Sequence, residues 1–499
     1  MSNRNGFFGH PGGLSTLFFT EMWERFSYYG MRAILILFMT TETAREGLGL
    51  DTATAGAVYG LYTAGVYLLT LPGGWLADNI FGQRKAVWYG GICIMIGHLI
   101  LAIPGSPEIF FLGLAFVAMG TGLLKPNIST MVGDLYPEGG ARRDAGFSVF
   151  YMGINLGSIL GQIIVPLLAE KVNWHLGFGM AAVGMFAGLV QYRITQNKLG
   201  EIGTIPKAKE PDQLVGDLIP KQGNRSLGFI FAAALVGLIA ILQVTGTIDI
   251  TTATGIAQSV GIVIVSVTLL YFAYILIAGG LTMPEKKRVA IIFLLFIGAA
   301  IFWSGFEQAG SSLNLFARDH TNRMFFGWEI PAGWLQSVNP AMIVIFAPIV
   351  GTLWVKLATR TMNPSTPLKF GLGLILLGVG FLVMVYAAQV VTAGGKAGMF
   401  WLVLTYFFHS IGELTLSPVG LSATTKLSPK RYVGQMMGIW FVGASLGNLI
   451  AGLFGGNFDE ENVQQMPDLF MSVVLVSVGA GIIFIILSPL TKKWIGEMK

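Results

Sequence analysis

The chain has 499 residues, of which 54% are hydrophobic and only 11% are charged, and its formal net charge is +5. Soluble proteins carry about 25% charged residues, so this composition excludes a soluble multidomain enzyme and predicts an all-α polytopic membrane protein. A surface for nucleic acid is excluded as well, because the Lys and Arg residues lie between apolar runs.

Apolar runs long enough to cross a bilayer follow one another along the chain. A helix needs about 20 apolar residues for this. Runs of that length predict about fourteen spans, near residues 14–40, 54–77, 86–103, 108–131, 145–168, 174–195, 227–247, 255–279, 289–309, 337–357, 368–388, 398–425, 433–455 and 468–490. The two middle spans contain no Lys, Arg, Asp or Glu, which is typical of helices that face lipid. The spans therefore divide as six, two and six.

This division predicts four regions of the chain. We expect an N-terminal six-helix bundle (1–196), a cytoplasmic linker (197–226), two extra peripheral helices (227–288) and a C-terminal six-helix bundle (289–499). An even number of spans puts both termini on one side of the membrane. The positive-inside rule places that side in the cytoplasm, because most Lys and Arg residues then lie on cytoplasmic segments.

The first predicted span carries an unusual stripe of charged residues. At 100° per residue, six polar side chains fall within about 140° of one helix face: Glu21, Glu24, Arg25, Tyr28, Tyr29 and Arg32. A charge at the bilayer centre costs about 2.5–3.5 kcal/mol on insertion scales, so the stripe must face protein or a water-filled cavity. The alternative is an ion-pair network that only holds helices together, although buried pairs seldom add net stability over apolar packing.

Three other spans contribute one charged residue each: Lys125, Glu307 and Glu413. With the first span they make three cations and four carboxylates, a set that carries a charge of −1 when fully ionised. One bound proton would neutralise the set, which favours a proton-coupled carrier over a static network. The cations come from the first half of the chain, and Glu307 and Glu413 from the second. Ion pairs across the halves could therefore serve as gates.

Several motifs resemble the proton-dependent oligopeptide transporters of the major facilitator superfamily. "ExxER" followed by "FSYYG", at residues 21–30, is similar to the first-helix motif of that family, and "FYMGINLGS" (150–158) to its fifth-helix motif. "GGWLADNIFGQRK" (73–85) resembles the superfamily's loop between helices 2 and 3. "LKPNIS", "FWSGFEQAGSSLN" and "GELTLSPVGLS" match in order and spacing. The resemblance implies the major facilitator fold of two six-helix bundles, with the two extra helices of bacterial members, in the plasma (inner) membrane.

In function, the resemblance implies a proton-coupled symporter that imports di- and tripeptides by alternating access. It implies a protein that is not an enzyme, has no cofactor and uses protons as the coupling ion. The alternatives are a major facilitator carrier for another small zwitterion or anion such as an amino acid or nitrate, a membrane enzyme, and a peptide sensor that moves no cargo. Nitrate is disfavoured because span 289–309 lacks the histidine of plant nitrate carriers. The oligomeric state is left open.

The resemblance also implies roles for individual residues. Proton coupling is expected of Glu21, Glu24, Arg25 and Glu307. Substrate binding is expected of Arg25, Tyr28, Arg32, Tyr67, Lys125, Asn155, Trp303, Glu413, Ser417 and Trp440. Arg32 with Glu307 would form the outer gate, and Lys125 with Glu413 the inner gate, while no metal ligand is implied. Some family members carry a histidine after the tyrosine of helix 2; here Gly60 follows Tyr59, so coupling is expected to use carboxylates.

Overall fold

The computed structural model describes residues 6–138, 140–204, 236–360, 364–458 and 462–496. Long helices dominate the first half of the chain: α1 (Gly13–Thr40), α2 (Thr52–Leu68), the short α3 (Thr70–Leu76), α4 (Gln83–Leu101), α5 (Pro107–Asp134), α6 (Gly140–Lys171) and α7 (Trp174–Thr195). Capping side chains fix two of these helix starts. Asp51 accepts a hydrogen bond from the Thr54 backbone N–H at 2.9 Å, and Asn173 accepts one from His175 N–H at 2.8 Å.

The rest of the described chain is also mainly helical. Residues 236–244 are helical, and the longer elements follow: α8 (Ala253–Ala278), α9 (Met283–Phe306), the short α10 (Ser312–Asp319), α11 (Val338–Thr359), α12 (Thr366–Thr392), α13 (Met399–Leu427), α14 (Val433–Gly455) and α15 (Met466–Gly496). A capping box at Thr282 and Glu285 starts α9. Each predicted span coincides with a helix, but residues 227–235 of the seventh lie outside the described residues.

By length and composition, eleven helical segments of the described chain could cross a membrane. The charged helix α1 is not among them. The limits predicted for the four regions stay predictions, since most of the linker at 197–226 lies outside the described residues.

The two sides of the bundle are distinguished by the segments between helices. On one side, here called the termini side, Tyr136 Oη lies 2.9 Å from His10 Nδ1, and Arg84 N–H donates to Gly203 O at 2.9 Å. The opposite side, called the far side, carries four short strands: β1 (Thr321–Asn322), β2 (Met324–Phe325), β3 (Trp328–Glu329) and β4 (Ala397–Gly398). β2 and β3 form an antiparallel hairpin, and β1 pairs in parallel with β4.

The two halves pack most closely where α2 meets α14 near the far side. Glycines let the two backbones touch there, since a Cβ added to Gly452 would lie 2.3 Å from Gly60 Cα, and one added to Gly56 would lie 2.5 Å from Gly452 O. Beside the cavity, Ser445 Oγ donates to Ala64 O at 3.0 Å. Small residues therefore hold the halves together on one side of a central space.

Candidate functional site

A cavity of about 360 Å³ lies between the two halves, where α1 carries its charged stripe. Its lining includes most of the residues predicted for coupling and binding: Glu21, Arg25, Arg32, Tyr67, Lys125, Asn155, Trp303, Glu307, Glu413, Ser417 and Trp440. Both halves contribute, the first through α1, α2, α5 and α6 and the second through α9, α11, α13, α14 and the turn after α9. Folding thus brings these residues to one place, and their individual roles stay predictions.

Arg25 is held by the two carboxylates of its own helix. Its Nε lies 2.7 Å from Glu21 Oε1 and 2.8 Å from Glu24 Oε2, and all three side chains are almost fully buried. Glu24 does not line the cavity and lies behind its wall. Tyr28 is also behind the wall, where its ring stacks on Tyr62 at 6.4 Å. Some residues of the charged stripe therefore face the cavity, and Glu24 and Tyr28 are packed behind them.

An ion pair between the halves closes the far end of the cavity. Arg32 Nη2 lies 2.5 Å from Glu307 Oε2, and Arg32 Nε donates to Tyr59 Oη at 2.6 Å. Glu307 stands in a short 3-10 turn, Glu307–Gly310, directly after α9. Gly310 is required there, because an added Cβ would lie 1.8 Å from Tyr59 Oη. The two residues of the predicted outer gate are therefore paired in this structure, and their role as a gate stays a prediction.

The two residues of the predicted inner gate, Lys125 and Glu413, are not paired with each other in this structure. Lys125 Nζ lies 4.0 Å from the centre of the Tyr67 ring, and Glu413 Oε2 accepts a hydrogen bond from Asn339 Nδ2 at 3.3 Å. Within the described part of the chain, no ion pair of 4.0 Å or less joins Lys125 to Glu413. The two opposite charges are thus left to face the cavity.

A second cavity of about 740 Å³ adjoins the first on the termini side. The two share Lys125, Ser129 and Phe441, and the second extends to Asp134 and Arg143 near the ends of α5 and α6. The central cavity therefore opens toward the termini side while the Arg32–Glu307 pair closes the far side.

Sequence reasoning left several polar residues of the cavity lining out of the predicted site, among them Gln336, Asn339 and Tyr406. Asn339 matters most for geometry, because its Nδ2 donates to Ser410 Oγ at 2.9 Å as well as to Glu413, and so orients that carboxylate. Its position in the first turn of α11, before Pro340, resembles an ordinary turn signal. A search for uncharged amides at span starts would have found it.

The cavity can bind a molecule that carries both charges. Trp303 Nε1 has no hydrogen-bond acceptor within the described residues, so it is a buried donor available to a ligand. No group of three or more His, Cys, Asp or Glu that could hold a metal ion was found among the described residues. Two helical bundles around a central charged cavity open to one side define the class of the protein, a membrane transporter.

Comparisons with known proteins agree with this class. Residues 84–472 match the model of the POT family (PTR2). Peptide transporter YePEPT of Yersinia enterocolitica subsp. palearctica is 43% identical, over 96% of this chain and 94% of the relative. The di-/tripeptide transporter of Lactococcus lactis subsp. cremoris is 37% identical, over 99% of this chain and 98% of the relative.

A solved structure is equally similar. The crystal structure of peptide transporter POT in complex with sulfate has a TM-score of 0.86 and 41% identity, and the alignment covers 98% of this chain and 97% of that one. The chain belongs to the POT family of membrane transporters. The family predicted from the motifs and the predicted major facilitator fold are therefore confirmed.

Proposed function

We propose that this chain imports di- and tripeptides together with protons by alternating access. The observation that carries the proposal is the unpaired arrangement of Lys125 on one wall of the cavity and Glu413 on the other. A peptide is a zwitterion with fixed charges at its ends and variable side chains between them. Opposite charges on facing walls bind both ends, while the aromatic residues between them tolerate different side chains.

Relatives support this choice of cargo. The Yersinia and Lactococcus proteins are named as peptide and di-/tripeptide transporters, and the solved relative is named as a peptide transporter. In our proposal, Arg25, Arg32 and Lys125 attract the peptide carboxylate and Glu413 binds its amino group. Asn155 and Tyr67 bond the backbone, Tyr28 joins them after a side-chain movement, and Trp303, Ser417 and Trp440 line side-chain pockets.

The charge balance of the site supports protons as the coupling ion. The site holds three cations and four carboxylates, so it carries a charge of −1 when all of them are ionised. The carboxylates are Glu21, Glu24, Glu307 and Glu413. Arg25 and Arg32 already have carboxylate partners. In our proposal a proton on Glu307 releases Arg32 and opens the far side, while Glu21, Glu24 and Arg25 link proton and peptide binding. Lys125 and Glu413 then close the termini side whenever the far side is open.

The direction of transport follows from orientation in the membrane. We assign the termini side to the cytoplasm and the protein to the plasma (inner) membrane, so the far side faces outward. A proton that moves inward then releases about 2.3 kcal/mol of free energy per 100 mV of membrane potential, which can drive accumulation of the peptide.

Uptake of labelled dialanine into proteoliposomes tests the proposal. With an inward proton gradient and a negative interior, we expect accumulation above the external concentration that collapses when a protonophore is added. Exchange without accumulation would remove the coupling and keep the peptide site. Folded protein that takes up labelled alanine or nitrate but shows no dialanine flux would replace the peptide with another small zwitterion or anion.

A further inference from the structure

A buried carboxylate at the far end of α6 reaches from the first half into the second. Glu170 Oε2 accepts a hydrogen bond from the Ala332 backbone N–H at 2.8 Å, and Glu170 Oε1 accepts one from Gly333 N–H at 3.0 Å. Only 11% of the Glu170 side chain is exposed. Both oxygens of a first-half carboxylate are thus bound by the backbone of a second-half loop, at the start of its short 3-10 helix Ala332–Ser337.

A guanidinium completes the surroundings of this carboxylate. Arg323 Nη1 lies 3.8 Å from Glu170 Oε2, and the Arg323 side chain is 8% exposed. The same guanidinium is fixed by its own half, because Nη1 donates to Ile330 O and Nη2 lies 2.9 Å from Glu329 Oε1. Two N–H groups and a fixed cation therefore form a receptor for one carboxylate, and hydrogen bonds to a charged acceptor are stronger than neutral ones.

The loop that supplies the two N–H groups lies directly against α6. A Cβ on Gly333 would lie 2.7 Å from Pro166 Cβ, so only glycine fits at this contact. The next residue, Trp334, donates its indole N–H to Ile163 O at 2.7 Å. Three successive loop residues thus dock on about two turns of α6, from Ile163 to Glu170, and Glu170 is the charged member of this contact.

We propose that Glu170 is a positioning residue that latches the far side shut, by placing its carboxylate in the receptor formed by Ala332, Gly333 and Arg323. The receptor belongs to the second half and the carboxylate to the first, so this contact must break when the halves separate on the far side. Loss of the charge favours the state in which the far side is open. The inference rests on the alternating access of the proposed function and not on the identity of the cargo.

A neighbouring ion pair provides a matched control. Lys171 Nζ lies 3.5 Å from Glu329 Oε2, and this pair also joins the two halves. The Glu329 side chain is 51% exposed, however, and exposed ion pairs contribute little. Lys171→Gln breaks this cross-half ion pair on the same side of the molecule and leaves Glu170, Arg323 and the Arg323–Glu329 pair in place.

Distances between spin labels across the two halves test the latch directly. In a Cys93→Ser background, labels at Glu42→Cys and Lys396→Cys report the far side, and labels at Lys85→Cys and Lys426→Cys report the termini side; these four residues are exposed. The protein is measured in lipid nanodiscs without substrate. We expect Glu170→Gln to lengthen the far-side distance and shorten the termini-side distance, raising the ratio of far-open to far-closed protein roughly tenfold. Lys171→Gln should leave both distributions unchanged.

Two results would overturn the proposal: unchanged distances in folded Glu170→Gln, or an equal shift in Lys171→Gln. Thermal unfolding shows whether each variant is folded. If Glu170→Gln does not fold, Glu170→Asp keeps the charge but shortens the side chain, and a smaller shift of the same sign is expected; no shift there overturns the latch. The spin-label measurement uses no substrate, so its result does not depend on whether the uptake assay shows peptide transport.

Discussion

The far side and the termini side of the cavity use similar chemistry and are in opposite states. On the far side, Arg32 pairs with Glu307 at 2.5 Å, and Asn314 Nδ2 donates to Ala33 O at 2.8 Å. On the termini side, Lys125 and Glu413 form no ion pair with each other, and a space of about 740 Å³ extends from the site. The presence of opposite charges at both ends of the cavity therefore does not by itself decide which side is closed.

Backbone packing explains the difference between the two sides. Near the far side, α2 and α14 touch through Gly60 and Gly452. Nearer the termini side, a Cβ added to Gly438 would lie 3.4 Å from the Leu71 side chain, and one added to Gly434 would have no neighbour within 4 Å. The helix pair is tight at one end and open at the other. The closed far side thus combines an ion pair with close contact of small residues, and either can be altered separately.

The largest effect is expected from removing a charge on the open side. Glu413→Ala should abolish accumulation of dialanine and slow its exchange roughly 30-fold or more. The reason is that the substitution leaves the peptide amino group and Lys125 without the facing carboxylate. Counterflow in proteoliposomes measures this. Lys426→Ala removes an exposed charge from the same helix and should exchange peptide normally. Normal exchange by Glu413→Ala would mean that the open side is not a substrate site.

A change on the closed side should separate coupling from binding. Glu307→Gln keeps a hydrogen-bond acceptor for Arg32 but cannot bind a transferable proton, so proton-driven accumulation should fall to the external level. Exchange should persist, because Glu413 and Lys125 are intact.

Uptake and counterflow of the same preparation test this pair of outcomes. Glu108→Gln, which removes an exposed carboxylate at the far-side start of α5, is the control and should accumulate peptide normally. Native accumulation by Glu307→Gln would assign coupling to another carboxylate.

The smallest of these effects is expected from the packing itself. Gly452→Ala forces α2 and α14 apart on the far side, at a cost of about 1–3 kcal/mol for the closed arrangement. The ratio of far-closed to far-open protein should fall roughly fivefold or more, measured with the far-side spin labels. Gly434→Ala on the same helix meets no neighbour and should change nothing. An identical response from both glycines would show that close packing does not hold the far side shut.

Much of this description follows from local features of the sequence. The spans were predictable because a bilayer imposes a length of about 20 apolar residues on each helix. The charged stripe of α1 was predictable because helical geometry puts residues at spacings of three and four on one face. Asn339 escaped prediction, since a single uncharged amide costs less in the membrane than a charge and, before a proline, resembles an ordinary turn signal.

The sequence by itself determined the helical membrane fold, the family and the set of charged residues that the cavity gathers, because charges in apolar spans are expensive and must find one another. Only the tertiary structure decided which charges pair. Arg32 meets Glu307, Lys125 stays apart from Glu413, and Glu170 reaches the loop at Ala332, across 275, 288 and 162 residues of chain respectively. Contacts between such distant residues depend on how the two bundles sit together, and local propensity carries no information about that.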